Sequence, residues 1–510
     1  MKNILIAIRS IFKKGRHNVM KIVSLGIGLA VGLVLIAKVY FEQSYDDFYP
    51  DRDRVYQVWA KYQQNGGELK DYPQTSGGIA PTMQQQIPEI ETVTRYTSFG
   101  DWTFTMTDTK MKYSGRCIIA DSCFFDILPR PMLIGNAKEV LSTPMYVLIS
   151  SRIAKNIGGD VIGKNFTVDN SPGRTMTIGG VFEEVPENSH SRYDVIVSMA
   201  SAGRFMWEGS PTNMLGNDRY ISYVKLHKGV NPLALEEQVR TFVNSYFPPE
   251  EQQKVGLSID FSFHKLDNLH KELPQVKRMT WILSLLAFAL IFTAVMNYIL
   301  IVISSIVNRS KEVAVHKCYG ASENNIHGMM FGEALVHIVL SLILALLLIL
   351  AFRGTVEELL ATSLDSLLLS NGSLDLLGIC ILVFFVSGFM PGSLYARIPV
   401  ASAFRNYRGN KRIWKKALLL VQFVATGFLV TMLVFVARQY TFMVNDRPGY
   451  AYENLAYCGL AGVDSTSRAK ILDEVMRLPG VAAATTVYQL PFEHASGNNI
   501  PVSYTHLRAH

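Results

Sequence analysis

Five apolar stretches, each near or above the ~20 residues an α-helix needs to cross a hydrocarbon core, commit this chain to a membrane-embedded fold. They run from Ile22 to Phe41, Met279 to Val307, Met329 to Phe352, Leu374 to Tyr395 and Ala417 to Val436. Between the first two lies a long polar block, Glu42 to Arg278, long enough for one or two compact domains. The expected fold class is an integral-membrane, α-helical transmembrane bundle with a mixed α/β extracytoplasmic domain inserted between the first and second spans.

Charge in the short flanks sets the expected orientation, because Lys and Arg accumulate on cytoplasmic segments. Lys2, Arg9, Lys13, Lys14, Arg16 and Lys21 precede the first span with no acid among them. Arg309, Lys311 and Lys317 follow the second span, and Arg397, Arg405, Arg408, Lys411, Arg412, Lys415 and Lys416 fill the segment 396–416. The segment 353–373 carries Glu357, Glu358 and Asp365 against one arginine. The N-terminus is therefore expected inside and the polar block outside. In residues 1–21, Ile4, Leu5, Ile8, Ile11 and Phe12 fall at helical spacing opposite Arg9, Lys13 and Arg16, which predicts an amphipathic helix on the inner leaflet. The run of apolar residues after it exceeds a signal-peptide core and has no small-residue cleavage site.

At 49% hydrophobic residues over 510 positions, the chain is too apolar for an ordinary soluble enzyme and too charged to lie wholly in lipid. The net charge of +7 sits largely in the cytoplasmic flanks, where topology and anionic lipid account for it, so nucleic acid is not an expected partner and membrane lipid is. Of five cysteines only Cys117 and Cys123 share a side with each other and a short separation; two free buried thiols are the expectation.

Within 42–278, Tyr56, Val58, Ala60 and Tyr62 alternate with polar residues, as do Leu257, Ile259, Phe261 and Phe263, and both predict half-buried strands. Met145–Ile149, Thr175–Phe182, Tyr193–Val197 and Tyr220–Leu226 read as further strands, and Leu235, Val239, Phe242, Val243 and Tyr246 as one helix face. The run Gly158-Gly-Asp-Val-Ile-Gly-Lys164-Asn165 approaches the phosphate-binding GxxxxGK[ST] pattern. Asn165 replaces the hydroxyl that holds magnesium, and the predicted order is helix then strand, the reverse of what that loop needs, so a glycine-rich turn is expected. HExxH, GxSxG and dinucleotide fingerprints are absent, and His190, His264 and His270 have no company at metal-ligand spacing. Catalytic residues: none. Metal ligands: none.

The segment 308–328 predicts a short helix around Val313 and Lys317, stopped by Gly320, with Ala321-Ser322 able to cap a following helix. Read from spacing alone, it is either a lever offering charges to a soluble partner or a plain hairpin.

Arg309-x-Lys311-Glu312-Val-x-Val315-x-Lys317-x-x-Gly320-Ala321-Ser322, with Asn297-Tyr298 upstream and Glu333 downstream, resembles the signature of permease subunits in the MacB/FtsX-like class of ABC transporters. The polar block resembles the periplasmic core domain of that class: Asp121-Ser-Cys-Phe-Phe125, Ala137–Leu141, Ser150–Ala154, Ile162-Gly163-Lys164, Gly180-Val181 and Pro186-x-Asn188-Ser189-His190 fall in family order. The resemblance implies a bacterial cytoplasmic-membrane protein without cofactor of its own. ATP and Mg would be held by a cytoplasmic ABC ATPase partner that contacts the coupling loop through Arg309, Lys311, Glu312, Lys317, Gly320, Ala321 and Ser322. Asn297, Tyr298 and Glu333 would form a membrane-embedded motif. It further implies a periplasmic adaptor and an outer-membrane channel as possible partners, a dimeric or pseudo-dimeric assembly, and efflux of antimicrobial compounds or peptides by mechanotransmission. Lipoprotein release or control of a cell-wall hydrolase are alternatives within the class, and a membrane-anchored ligand sensor is one outside it. Lys416–Gln439 resembles the opening of a second such half, so the segment 437–510 is expected to begin a second periplasmic domain, with 503–510 extending no pattern.

Overall fold

The computed structural model describes residues 17–168, 171–216, 218–368, 373–396, 413–445, 454–460 and 463–487. Residues 1–16, which carry most of the expected amphipathic helix, and the cationic segment 397–412 lie outside the described residues. Among the described residues, the membrane part consists of the helices α1 Asn18–Gln43, α2 Pro274–Ser304, α3 Ile306–Cys318, α4 Glu323–Ala351, α5 Ser373–Ala396 and α6 Ile413–Asn445. Among the described residues, α1, α2, α4, α5 and α6 contain segments long and apolar enough to cross a membrane, and the protein is a multi-pass membrane protein.

Helices in lipid gain little from apolar burial against one another, so close approach of backbones matters more. Gly28 and Gly32 supply that approach one turn apart on α1. A Cβ at Gly28 would sit 2.2 Å from the Ala294 Cβ, and one at Gly32 would sit 2.4 Å from Ile291 Cγ1. Around this contact Leu25, Leu29 and Leu33 of α1 pack with Val295, Ile299 and Val302 of α2 and with Ile338, Ala345 and Ile349 of α4. By contrast, α6 leaves nearly all its side chains exposed.

The inserted domain is built on one sheet. Its strands are β1 Val55–Gln64, β2 Lys70–Tyr72, β3 Ile90–Met106, β4 Lys112–Ala120, β5 Met132–Ile134, β6 Tyr146–Ser150, β7 Asn165–Val168, β8 Ser171–Phe182, β9 Val195–Ser198, β10 Ile221–Leu226 and β11 Leu257–Lys265. The order is β11-β1-β10-β3-β4-β9-β6-β8-β5, with β2 beside β1 and β7 bridging β3 and β8. The β4–β9 and β6–β8 pairs are parallel and the others antiparallel. Val58 stands opposite Phe263, Ala60 opposite Phe261 and Tyr62 opposite Ile259, so two alternating patterns meet on one face. Val239, Phe242 and Val243 of the helix Glu236–Tyr246 cover that face. The remaining apolar side chains form a second core around β4, β6, β8 and β9, and a third around Tyr49, Tyr96, Phe124, Phe182, Tyr223 and Leu266, where the chain enters and leaves the domain.

Three expectations need correction. β6 begins at Tyr146, because Met145 takes φ 63°, outside strand geometry. β9 begins at Val195, leaving Tyr193 buried ahead of it. Cys117 is buried and Cys123 only half-buried, and both are free thiols.

Candidate functional site

Polar side chains are costly in lipid and cluster where they have work to do. In this bundle they gather at three levels: the turn after α2, the interior of the bundle, and the junction with the inserted domain.

At the first level α2 runs into α3 through Ser305, and α3 is longer than the sequence suggests. Arg309, Lys311, Glu312 and Lys317 all lie on it. Gly320 ends it with φ 87°, its amide bonding the Lys317 carbonyl at 3.0 Å, while the Ala321 amide bonds the His316 carbonyl at 3.0 Å. These are bonds of a glycine-dependent C-terminal cap. The Ser322 hydroxyl then accepts from the Asn325 amide and caps α4. Val313 and Ala314 are buried against the bundle with Ile326 and Met330, whereas Val315, His316, Cys318, Tyr319, Gly320 and Ser322 are exposed; Glu312, Lys317 and Ala321 are half-buried. The segment is thus amphipathic: Val313 and Ala314 are anchored to the bundle, and Val315, His316, Cys318 and Tyr319 are exposed.

Above it, Glu333, His337 and Ser341 form a buried stripe at i, i+4 and i+8 of α4. Glu333 lies 3.8 Å from Lys21 Nζ on α1, and Lys21 also donates to Asn18 at 3.2 Å. Tyr298 of α2 bonds His337 Nδ1 at 3.1 Å, and the Ser341 hydroxyl donates to the Ile22 carbonyl at 3.1 Å. The sequence-predicted Tyr298 and Glu333 are brought together with α1 in this stripe, and Asn297 is half-buried beside Tyr298.

The junction with the domain is where sequence reading found least. Just past α1, Asp46 is fully buried at φ 60°. Its carboxylate accepts from the Ser189 hydroxyl at 3.0 Å, the His190 amide at 3.3 Å and His190 Nδ1 at 2.6 Å. The Asn188 side-chain amide donates to the Ser44 carbonyl at 2.7 Å, and the Asp46 amide donates back to the Asn188 carbonyl at 2.9 Å. On its other side His190 Nε2 bonds the Tyr223 hydroxyl. Burial pushes the Tyr223 phenol well above its ordinary range and that of Tyr96 up to about 12, so both remain neutral and able to donate. The run Asn188-Ser-His190 is therefore the hook by which the domain holds the end of α1. Glu42 ties in the entry to α2: it pairs with Lys38 at 2.7 Å and His270 at 2.6 Å, while Lys271 reaches Asp47 at 3.2 Å. The acids Glu42 and Asp46 just past an apolar run are visible in the sequence, but the partners that bury them are not.

The glycine-rich turn 158–164 is tied to β8. The Gly163 amide donates to the Ile178 carbonyl at 2.8 Å, the Lys164 carbonyl accepts from the Ile178 amide, and the Asn165 side chain accepts from Thr177. Helix Ser151–Ile157 precedes the turn and β7 follows it. Among the described residues no group of three or more His, Cys, Asp or Glu is placed to hold a metal ion.

Comparison with known proteins adds two family matches. Residues 20–242 match the MacB-like periplasmic core domain, and residues 284–400 match the FtsX-like permease C-terminal region. A crystal structure of a domain of a candidate permease protein from Porphyromonas gingivalis is 33% identical, covering 42% of this chain and 91% of that one with a TM-score of 0.40. No curated protein matches the chain.

Proposed function

The chain belongs to the MacB/FtsX-like ABC transporter permeases, and on that basis we propose that it converts the nucleotide state of a separate ABC ATPase into movement of its inserted domain. Membership makes it a permease subunit of an ABC transporter and implies an ABC ATPase as partner. ATP and Mg belong to that partner in this reading, which needs no cofactor in the chain itself. The protein sits in the bacterial cytoplasmic membrane with its N-terminus and the α3 lever in the cytoplasm and the domain in the periplasm. Its task is efflux of antimicrobial compounds or peptides, with a periplasmic adaptor and an outer-membrane channel completing the path.

One observation carries the reading. The lever has an anchored face and an exposed face, and a capped helix leads from it directly across the bundle. Such a body responds as a unit when a partner binds one of its two positions better than the other. Arg309, Lys311, Glu312 and Lys317 are the contacts to the ATPase, and Gly320 fixes the angle at which α3 meets α4. In the reconstituted complex, Glu312→Lys and Gly320→Pro are expected to abolish stimulation of the ATPase while insertion in the membrane is retained. Full stimulation by both variants refutes the proposal.

A further inference from the structure

The segment between α4 and α5 is a compact cap. Helices Arg353–Leu360 and Leu364–Leu368 flank a tight turn at Ala361, φ 48°. Glu357 closes the turn by accepting from the Leu364 amide and from Arg353, both at 2.9 Å, and Arg353 also pairs with Asp365 at 3.1 Å. Leu367 is buried against Ala37 and Phe41 of α1. From this cap two bonds run outward. Thr362, buried, accepts from Lys38 Nζ of α1 at 2.7 Å, and the Ser363 amide donates to Glu187 of the inserted domain at 2.9 Å.

Glu187 immediately precedes the Asn188–His190 hook, and Lys38 shares Glu42 with His270. The cap thus touches the domain and α1 at their own joint. It is also the far end of α4, whose near end is capped by Ser322 beside the lever. Twenty-nine helical residues without a proline transmit displacement along their axis, since their backbone bonds are satisfied internally.

We infer that the cap 353–368 is a strut through which α4 acts on the inserted domain, with Glu187 and Lys38 as the positioning residues, by a route separate from the covalent connections through α1 and α2. This deepens the proposed coupling function and rests on it. Glu187 holds the domain to the cap and Lys38 holds α1 to it, so the three elements move as one body.

The test uses the full chain reconstituted with its ABC ATPase in lipid nanodiscs, with spin labels at the exposed positions Glu237 and Glu358 to report the joint, and at Glu237 and Lys416, the latter on α6 outside that body, to report its motion across the membrane. The expected result is one unchanged joint distance with and without ATP while the second distance shifts. In Glu187→Ala with Lys38→Met, the joint distance broadens and the ATP-dependent shift across the membrane is lost. Glu187→Gln, which keeps an acceptor oxygen for the Ser363 amide, retains the shift. A joint distance that changes with ATP in the unmodified chain overturns the strut alone, as does a double variant that keeps the full shift. No response of either distance to ATP overturns the strut together with the coupling reading.

Discussion

Removing the Lys21 ammonium takes a buried attraction away from Glu333, and the size of the penalty follows from the geometry. The two groups are 3.8 Å apart, with side-chain exposures of 0% and 8%. At an effective dielectric of about 20 their attraction is about 4 kcal/mol, and breaking buried pairs from one side typically costs about 3–5 kcal/mol. Lys21→Met is therefore expected to be destabilised by roughly 3–4 kcal/mol. The double variant Lys21→Met/Glu333→Gln should recover most of the loss at pH 7. Denaturant unfolding in detergent, run on the four members of the cycle, measures this. A double variant as unstable as the sum of the singles would refute the reasoning.

Burial holds the His264 imidazole, stacked on Trp59 with ring centroids 4.2 Å apart, below its ordinary value. The unfolded chain then binds the proton more tightly, so domain stability is present above about pH 6.5 and declines as pH falls from there toward the lowered folded value; His264→Phe should flatten thermal-unfolding profiles across that window. Burial likewise pushes the Cys117 thiol well up, so maleimide should modify the exposed Cys318 and Cys458 in the folded protein and reach Cys117 only after unfolding. Lys164→Ala should leave ATP turnover by the reconstituted complex unchanged, because the turn around it spends its backbone groups on β8; loss of turnover would place nucleotide chemistry in the inserted domain.

Helix positions were legible because each membrane span is a long apolar run, and β1 and β11 because their alternation has a single buried face. The caps at Gly320 and Ser322 were also legible, since a left-handed turn and an N-cap each call for particular residues. The extent of α3 was not: Arg309, Lys311 and Glu312 are good helix formers, and the end of an apolar run says nothing about where helix stops. Gly28-x-x-x-Gly32 was a readable sign of the α1–α2 contact that went unused. The hook was illegible for another reason. Asp46 and His190 are 144 positions apart, and no local pattern encodes a contact between an αL residue and a distant turn. Histidines that look bland in sequence, His190 and His270, take their meaning from the carboxylates the fold places beside them.

The neighbouring antiparallel strands β1 and β11 bring the domain's first and last segments to the same end. Roughly 230 residues separate α1 from α2, and closing a flexible loop of that length would cost about 5 kcal/mol of chain entropy beyond a constant term. Once the domain has folded, its two ends are already side by side and that cost has been met before the helices meet. Domain folding therefore raises the local concentration of α2 around α1, so anything that stabilises the domain alone also strengthens helix pairing in the membrane. The same geometry makes the insertion point permissive during evolution: any domain whose termini emerge together could occupy it without disturbing the contact at Gly28 and Gly32.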